Sequence, residues 1–246
     1  MKIVLNPKAK QFETFIQSVP EIFEKEGKTI YKQRNEIKVF DVNGISLNVK
    51  RFKVPHVINR IVYSFFRLTK AERSYRYALV LEEKGISTPE PVAYILIKKH
   101  GLLHYSYYIS RQVSHAHTMY EFGKGGITGR EYIIEAFARF TAKSHEKGVF
   151  HKDYSPGNIL FDIKNGQVDF CLVDINRMQF GEVSVKKGCA NFARLWGQKD
   201  FFLLLAEEYA HVRGIEPDEC LRWILYYRDK FWKHYAKKRP LPFERL

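Results

Sequence analysis

The sequence predicts an α+β fold in two lobes, a β-rich lobe over residues 1–113 and a mostly helical lobe over residues 114–246. Strand patterns separated by Asn-Gly turn signals dominate the first half, and long helical patterns dominate the second. Hydrophobic residues make up 45% of the 246 positions and aromatic residues 15%. Such a chain can bury a substantial core, so the two lobes are expected to form one globular domain.

The N-terminal lobe is predicted from alternating residues and turn signals. Asn43-Gly44 joins two strand patterns, and this dipeptide accepts the positive φ that a tight hairpin turn requires. Apolar residues at helical spacing predict a helix that Gly85 ends. The expected elements are Thr29–Val42, Ile45–Phe52, the helix Leu68–Lys84, Val92–Lys98 and Leu103–Ser110.

The C-terminal lobe is predicted to be helical around one hairpin. Thr128 and Glu131 match a capping box, which predicts a helix from Thr128 to about Lys147. Asn165-Gly166 predicts a second tight turn, between strands Leu160–Asp162 and Val168–Asp174. Further helical stretches are expected over Asn191–Arg213 and Asp218–Lys237.

Charge and cysteine content limit the function classes. The formal charge is +14 and the pI is near 9.6, which favours nucleic acid, an acidic membrane surface or a phosphorylated substrate as partner. The three cysteines have no metal-like spacing, as expected in a reducing cytosol. Neither a signal peptide nor an apolar run of about 18 residues is recognisable. We therefore expect a cytoplasmic protein with at most peripheral membrane contact.

One constellation carries the chemistry. The run His151–Phe161 contains Asp153 and, five residues later, Asn158, and Asp174 follows the second hairpin. The Asn165-Gly166 turn pairs Asn158 with Val173, so Asn158 and Asp174 are expected at the same end of the hairpin. Amide and carboxylate oxygens suit Mg²⁺, and Asp153 is left to orient a hydroxyl and accept its proton. The structural alternative, a capped turn, explains an isolated His-x-Asp but not the full set.

The residues at 151–158, His-Lys-Asp-Tyr-Ser-Pro-Gly-Asn, resemble the catalytic loop of the protein-kinase-like superfamily, and most of all its small-molecule branch. Asp174–Met178, which stands in place of Asp-Phe-Gly, resembles the lipopolysaccharide kinases of the Kdo/WaaP type. The blocks Lys70–Ser74 and Gly85–Tyr94 resemble the same family. The resemblance covers about residues 28–210.

The resemblance implies a two-lobed protein-kinase-like fold that uses ATP and Mg²⁺. Asp153 would be the catalytic base, Asn158 and Asp174 the magnesium ligands, and His151 a brace of the loop. Lys50 would bind the α- and β-phosphates.

Two assignments in the N-terminal lobe have alternatives. Lys53 is the weaker competitor of Lys50, which ends the alternating run. Glu72 is the acid that would pair with the strand lysine, and its alternative is a surface partner of Arg76.

The chain departs from protein kinases at three points. No glycine-rich loop precedes Lys50, and the hairpin around Lys32–Asn35 is basic instead, so Lys32 or Arg34 would contact phosphates. Ser155 stands where protein serine/threonine kinases carry a lysine, and Lys152 could supply that charge. The segment after Asp174 is short, which disfavours an extended peptide as acceptor.

The family resemblance implies a kinase for a sugar hydroxyl, of Kdo or heptose, in the lipopolysaccharide inner core. An anionic core glycolipid would be the partner, with peripheral contact at the inner membrane. The alternatives are a kinase for a protein or another small molecule, and a non-catalytic kinase-like binding module. Nucleic acid is supported by charge alone and is not expected.

The stretch Cys220–Lys238 combines aromatic residues with Lys and Arg. This composition is typical of an interfacial membrane helix or of single-stranded nucleic-acid binding. A C-terminal helix that packs its aromatic residues on the core is the favoured alternative.

Overall fold

The chain folds as two units, Met1–Ser114 and His115–Leu246, in a computed structural model that describes residues 1–123 and 125–241. The first unit is built on an antiparallel sheet and the second is mostly helical, which confirms the predicted α+β class. In the described part of the chain, no helix is long and apolar enough to cross a membrane.

The first unit contains one antiparallel sheet. Its strands are Lys2–Leu5 (β1), Lys28–Lys32 (β2), Glu36–Val42 (β3), Ile45–Phe52 (β4), Pro91–Lys99 (β5) and Leu102–Arg111 (β6). They are arranged in the order β1-β5-β6-β4-β3-β2. Asn43 and Gly44, with φ of 56° and 77°, form the predicted turn between β3 and β4. The predicted strand Thr29–Val42 is divided by a hairpin turn into β2 and β3.

Helices cover both faces of this sheet. They are Glu13–Ile22 (α1), Val57–Phe65 (α2) and Lys70–Glu83 (α3). Ile16 of α1 and Val49 of β4 belong to one buried apolar cluster, and Tyr75 of α3 and Phe52 of β4 belong to another. Because alternate residues of a strand point to opposite faces, Val49 and Phe52 place these clusters on opposite sides of β4. The Thr69 hydroxyl accepts a hydrogen bond from the Glu72 N–H at 3.1 Å and caps α3.

The second unit surrounds one hairpin with helices. Its strands are His117–Thr118 (β7), Val149–His151 (β8), Ile159–Lys164 (β9), Gln167–Leu172 (β10) and Met178–Phe180 (β11). Its α-helices are Glu131–Glu146 (α4), Val185–Asn191 (α5), Lys199–Arg213 (α6) and Pro217–Ala236 (α7). β9 lies between β10 and β7, and β8 pairs with β11. Large aromatic side chains fill the interior, among them Phe137, Phe161, Phe192, Phe202 and Tyr209.

Two predictions for this unit are wrong. The capping box at Thr128 does not form, because α4 begins at Glu131 with Arg130 in the N-cap position. The predicted helix Asn191–Arg213 is interrupted by a short 3₁₀ turn, Phe192–Arg194, and α6 begins only at Lys199.

Candidate active site

The loop between β8 and β9 is fixed by a buried histidine. The Asp153 N–H donates to His151 Nδ1 at 3.1 Å, so Nε2 carries the ring hydrogen and donates to the Val173 carbonyl at 3.1 Å. Burial lowers the pKa of His151, which favours this neutral ring. The imidazole therefore ties the start of the loop to the strand end that precedes Asp174, as expected for a brace.

The hairpin register brings the second acid to the loop. Asn165 and Gly166, with φ of 51° and 76°, form the turn. β9 and β10 then pair without a shift from Lys164 and Gln167 to Ile159 and Leu172. The Val173 N–H donates to the Asn158 carbonyl at 3.0 Å, which continues the ladder by one residue. Asn158 and Asp174 consequently lie at the same end of the hairpin, where the sequence predicts them.

The Asn158 side chain connects this end to Asp153. Its Nδ2 donates to the Asp153 carbonyl at 2.8 Å, and its backbone N–H donates to the Ser155 carbonyl at 2.9 Å. With the amide nitrogen used in this way, Oδ1 is the oxygen that the side chain offers as an acceptor.

Asp174 has an unusual backbone conformation. Its φ of 53° and ψ of 41° lie in the left-handed region, which few residues other than glycine adopt. Buried Asn176 donates from Nδ2 to Asp174 Oδ1 at 2.5 Å and orients the carboxylate. The amide oxygen of Asn158 and the carboxylate of Asp174 are both hard oxygen donors, so this donor set fits Mg²⁺.

The pair Asn158 and Asp174 differs from a metal site that is built entirely of protein side chains. Among the described residues, no group of three or more His, Cys, Asp or Glu side chains is placed to hold a metal ion. Magnesium in phosphoryl-transfer enzymes characteristically takes one or two carboxylates together with substrate phosphates and water. The pair Asn158 and Asp174 suits that mode of binding.

Two arginines hold the carboxylate of Asp153. Arg194 donates from an η-nitrogen to Oδ1 at 2.5 Å, and Arg177 donates to Oδ2 at 3.0 Å. The Asp153 side chain is only 17% exposed, so these charge-assisted bonds are partly shielded from water. Sequence reasoning missed both arginines and considered Lys152, which is exposed, as the compensating charge.

An aromatic wall stands beside the loop. The Tyr120 ring lies 4.7 Å from the Trp196 ring and approaches Gly157 so closely that a Cβ there would be 2.5 Å from Tyr120. Burial and the nearby Asp153 carboxylate raise the pKa of the Tyr120 hydroxyl. Gly157 is thus required by close packing, and Tyr120 lies near the candidate base.

A series of buried hydrogen bonds connects the loop to the interior of the second unit. Asn191 donates from Nδ2 to the His151 carbonyl at 2.9 Å, and its Oδ1 lies 2.9 Å from His145 Nε2. His145 Nδ1 lies 2.8 Å from the Tyr209 hydroxyl. Since Asn191 Oδ1 can only accept, His145 Nε2 must donate, and Nδ1 accepts from Tyr209. Burial lowers the pKa of His145 to about 4, which keeps the ring neutral.

In the first unit, Lys50 and Glu72 lie over the same face of the sheet. Lys50 is paired with Tyr108 on β6, and Tyr108 is paired with Tyr94 on β5, so the three residues form one row. The Tyr94 hydroxyl is 3.3 Å from Glu72 Oε1, which also accepts from Arg76 at 2.8 Å. The Arg76 contact is therefore real, but Glu72 itself lies on the buried face of α3.

The basic hairpin of the first unit is exposed. Lys32 Nζ lies 3.5 Å from Glu36, and its side chain is 72% exposed. Arg34 and Lys53 line a cleft of about 270 Å³ within the same unit. The hairpin thus carries long cationic side chains where protein kinases have a glycine-rich loop.

The aromatic residues of α7 are packed to different degrees: Trp232 is buried, Tyr226 is exposed, and Trp223, Tyr227, Phe231 and Tyr235 are half-buried. Cys220, Ile224 and Trp232 lie on the buried stripe of α7. Lys186 lies 4.0 Å from the Trp223 ring centroid, and Arg194 lies 4.9 Å from that of Phe231. The buried stripe agrees with the core-packing alternative for one side of Cys220–Lys238, and Leu225 and Tyr226 lie exposed outside it.

A model of the Lipopolysaccharide kinase (Kdo/WaaP) family matches residues 24–202. Among solved structures, the chain is similar to WaaP in complex with acyl carrier protein, with 18% identity and a TM-score of 0.63, over 94% of this chain and 100% of that chain. It also resembles MAP kinase LmaMPK10 from Leishmania major, with 14% identity and a TM-score of 0.43, over 96% and 76% of the two chains. No curated protein sequence matches significantly. The WaaP match confirms the expected protein-kinase-like fold.

Proposed function

Because the chain belongs to the lipopolysaccharide kinase (Kdo/WaaP) family, we propose that it transfers phosphate from ATP to a sugar hydroxyl of the lipopolysaccharide inner core. The observation that carries this proposal is the junction of Asp153, Asn158 and Asp174 at the open end of the β9–β10 hairpin. A base, an amide oxygen and a second carboxylate are the protein groups that phosphoryl transfer requires.

In the proposed reaction, Asp153 orients the acceptor hydroxyl and takes its proton as the new O–P bond forms and the bond to ADP breaks. Asn158 and Asp174 would hold Mg²⁺, which supplies charge neutralisation on the phosphates when bound. Lys50 would bind the α- and β-phosphates, with Glu72 as the acid that positions it. Lys32 and Arg34 would add charge over the phosphates from the basic hairpin.

Arg177 and Arg194 have a positioning role in this scheme. Their η-nitrogens hold both oxygens of Asp153, which fixes the rotation of the carboxylate. A guanidinium so close to the base can also pair with a phosphate, because its planar fork fits phosphate oxygens. The arrangement thus compensates charge at the site without the lysine that protein kinases carry at the position of Ser155.

Purified core oligosaccharides test the acceptor. The protein is incubated with labelled ATP, Mg²⁺ and acceptors that end in Kdo or in heptose, and mass spectrometry locates the phosphate. We expect transfer to one of these sugars. Transfer to protein alone would support the alternative protein acceptor, and ATP binding without any transfer would support a non-catalytic module.

A protein partner is a separate proposal. WaaP was solved in complex with acyl carrier protein, and we propose that this chain forms the same association. The charge of +14 favours an anionic partner of any kind. Co-purification of acyl carrier protein with the tagged chain, retained in moderate salt, is the expected result. Its absence would leave the kinase proposal unaffected.

A further inference from the structure

Helix α2 is attached to the sheet by its polar side. Arg60 donates from Nε to the Leu103 carbonyl at 2.8 Å, and the Leu103 N–H donates to the Ser64 hydroxyl at 2.8 Å. Tyr63, on the same side of the helix, packs against the apolar cluster under α3. These contacts hold the Arg60–Ser64 side of α2 against the N-terminal end of β6.

The apolar side of α2 points to solvent. Ile58, Ile61 and Phe65 occur at i, i+3 and i+7 and are 78%, 42% and 64% exposed. Phe66 and Leu68, which follow the helix, are also exposed. Surface helices ordinarily bury their apolar stripe and expose the polar one, so the orientation of α2 is inverted. A contiguous exposed apolar surface of this kind characteristically marks an interaction site.

The charged residues that precede and follow α2 in the sequence are all positive. Residues 42–71 contain no Asp or Glu, and their Lys and Arg residues are Lys50, Arg51, Lys53, Arg60, Arg67 and Lys70. Arg67, two residues after the end of α2, is exposed, and Lys98 Nζ lies 5.5 Å from the centroid of the Phe65 ring. Cations therefore border the apolar stripe, which is the pattern of helices that lie in an anionic lipid interface.

We propose that α2 and the residues up to Leu68 form the surface by which this protein docks on an anionic lipid bilayer. Ile58, Ile61 and Phe65 enter the boundary between headgroups and acyl chains, while Arg67 and Lys98 contact the lipid phosphates. The inference deepens the proposed function, because a glycolipid acceptor is presented at a bilayer. It assigns the docking role to α2 and not to α7, whose Ile224 and Trp232 face the core.

Vesicle flotation with the full chain tests the apolar part. The protein is mixed with vesicles of phosphatidylcholine alone or with added phosphatidylglycerol. We expect binding to the anionic vesicles and a loss of about tenfold or more in the variant I58E/F65E, since burial of each side chain is removed. The control L203E/Y226E adds the same charge at exposed apolar residues of the second unit and should bind within about twofold of the unmodified protein. Equal losses in both variants would overturn the proposal.

A second pair of variants tests the charge. R67E should weaken binding about fivefold or more, whereas K233E, at an exposed lysine of α7, should have little effect. Circular-dichroism melting verifies that each variant is folded. Vesicle binding that is unchanged in both I58E/F65E and R67E would overturn the assignment to α2.

Other occupants of this face are distinguishable. Light scattering that shows a dimer lost in I58E/F65E, with no vesicle binding by the unmodified protein, would make the face a self-association surface and overturn the proposal. Protection of α2 from hydrogen exchange by acyl carrier protein, and not by vesicles, would do the same. Phosphate transfer to a detergent-dispersed acceptor tests the kinase separately: transfer without flotation refutes docking alone, and flotation without transfer refutes the kinase alone.

Discussion

The loop between β8 and β9 in the second unit and the β2–β3 hairpin in the first are both proposed to act in phosphate transfer, but they are built differently. In the loop, His151 and Tyr154 are buried, and Asp153 is held by two guanidinium groups. In the hairpin, Lys32 and Arg34 are exposed. Each construction suits its proposed role, because a base must be held in a fixed geometry, whereas exposed cations can reach phosphate oxygens in several ways.

The largest effect is expected from D153N, which keeps the size of the side chain and removes the base. Transfer to the sugar acceptor should fall by about 10²–10⁴-fold, the usual contribution of a general base. Nucleotide binding, measured by titration calorimetry, should remain. The matched control is D169N, a 54% exposed carboxylate on β10, which should keep full activity. Equal turnover by D153N and the unmodified protein would remove Asp153 from the mechanism.

A smaller effect is expected beneath the loop. The N191A variant leaves the His145 Nε2–H and the His151 carbonyl without their partner in the interior. Two buried polar groups left unpaired should lower the free energy of unfolding by about 3 kcal/mol. Urea unfolding measures the change, and N59A, at an exposed asparagine of α2, is the control. If N191A lowers the free energy of unfolding no more than N59A does, the hydrogen bonds of Asn191 do not support the loop.

The buried hydrogen bonds of His145 and Asn191 also predict that the protein is sensitive to acid. The pKa of His145 is about 4 in the folded protein and near 6.5 without burial. Between these values the unfolded chain binds a proton that the folded chain does not, so stability falls as the pH is lowered from 6.5 to 4. Burial lowers the pKa of His151 in the same direction. Urea unfolding across this pH range should show a loss of about 2–3 kcal/mol from His145.

The H145Q variant separates this contribution from general acid effects. Glutamine retains a donor and an acceptor but does not titrate, so part of the dependence on pH should disappear. An unchanged slope in H145Q would assign the acid sensitivity to other groups.

The smallest effect is expected in the hairpin. R34A should raise the KM for ATP by roughly fivefold or less, because an exposed cation contributes about 1 kcal/mol or less. kcat should not change, because in the proposal Arg34 contacts only phosphate oxygens and takes no part in proton transfer. K28A, at an exposed lysine of β2, is the control in the same steady-state assay. A loss in kcat as large as that of D153N would contradict the distinction between the two regions.

Local turn chemistry explains what could be predicted from the sequence. Both Asn-Gly turns form with positive φ at each residue, and the second one sets the register that brings Asn158 and Asp174 together. These features depend on a few neighbouring residues, so a single sequence contains enough information to predict them.

Long-range packing explains what was missed. Arg194 is 41 residues from Asp153 and reaches it only because the turn after α5 packs beside the loop. Arg177 follows Asp174 closely, and its position after the second acid is a signal that could have been used. The inverted orientation of α2 was equally invisible, since its apolar spacing would have predicted the opposite face inward.

The left-handed backbone of Asp174 has a consequence for the choice of inactive variants. Alanine at φ 53° would add a steric penalty of about 1–2 kcal/mol to the loss of the carboxylate. Asparagine tolerates this conformation and keeps the shape of the side chain. An inactive protein made as D174N therefore reports on the missing charge alone, whereas D174A combines that loss with backbone strain at this position.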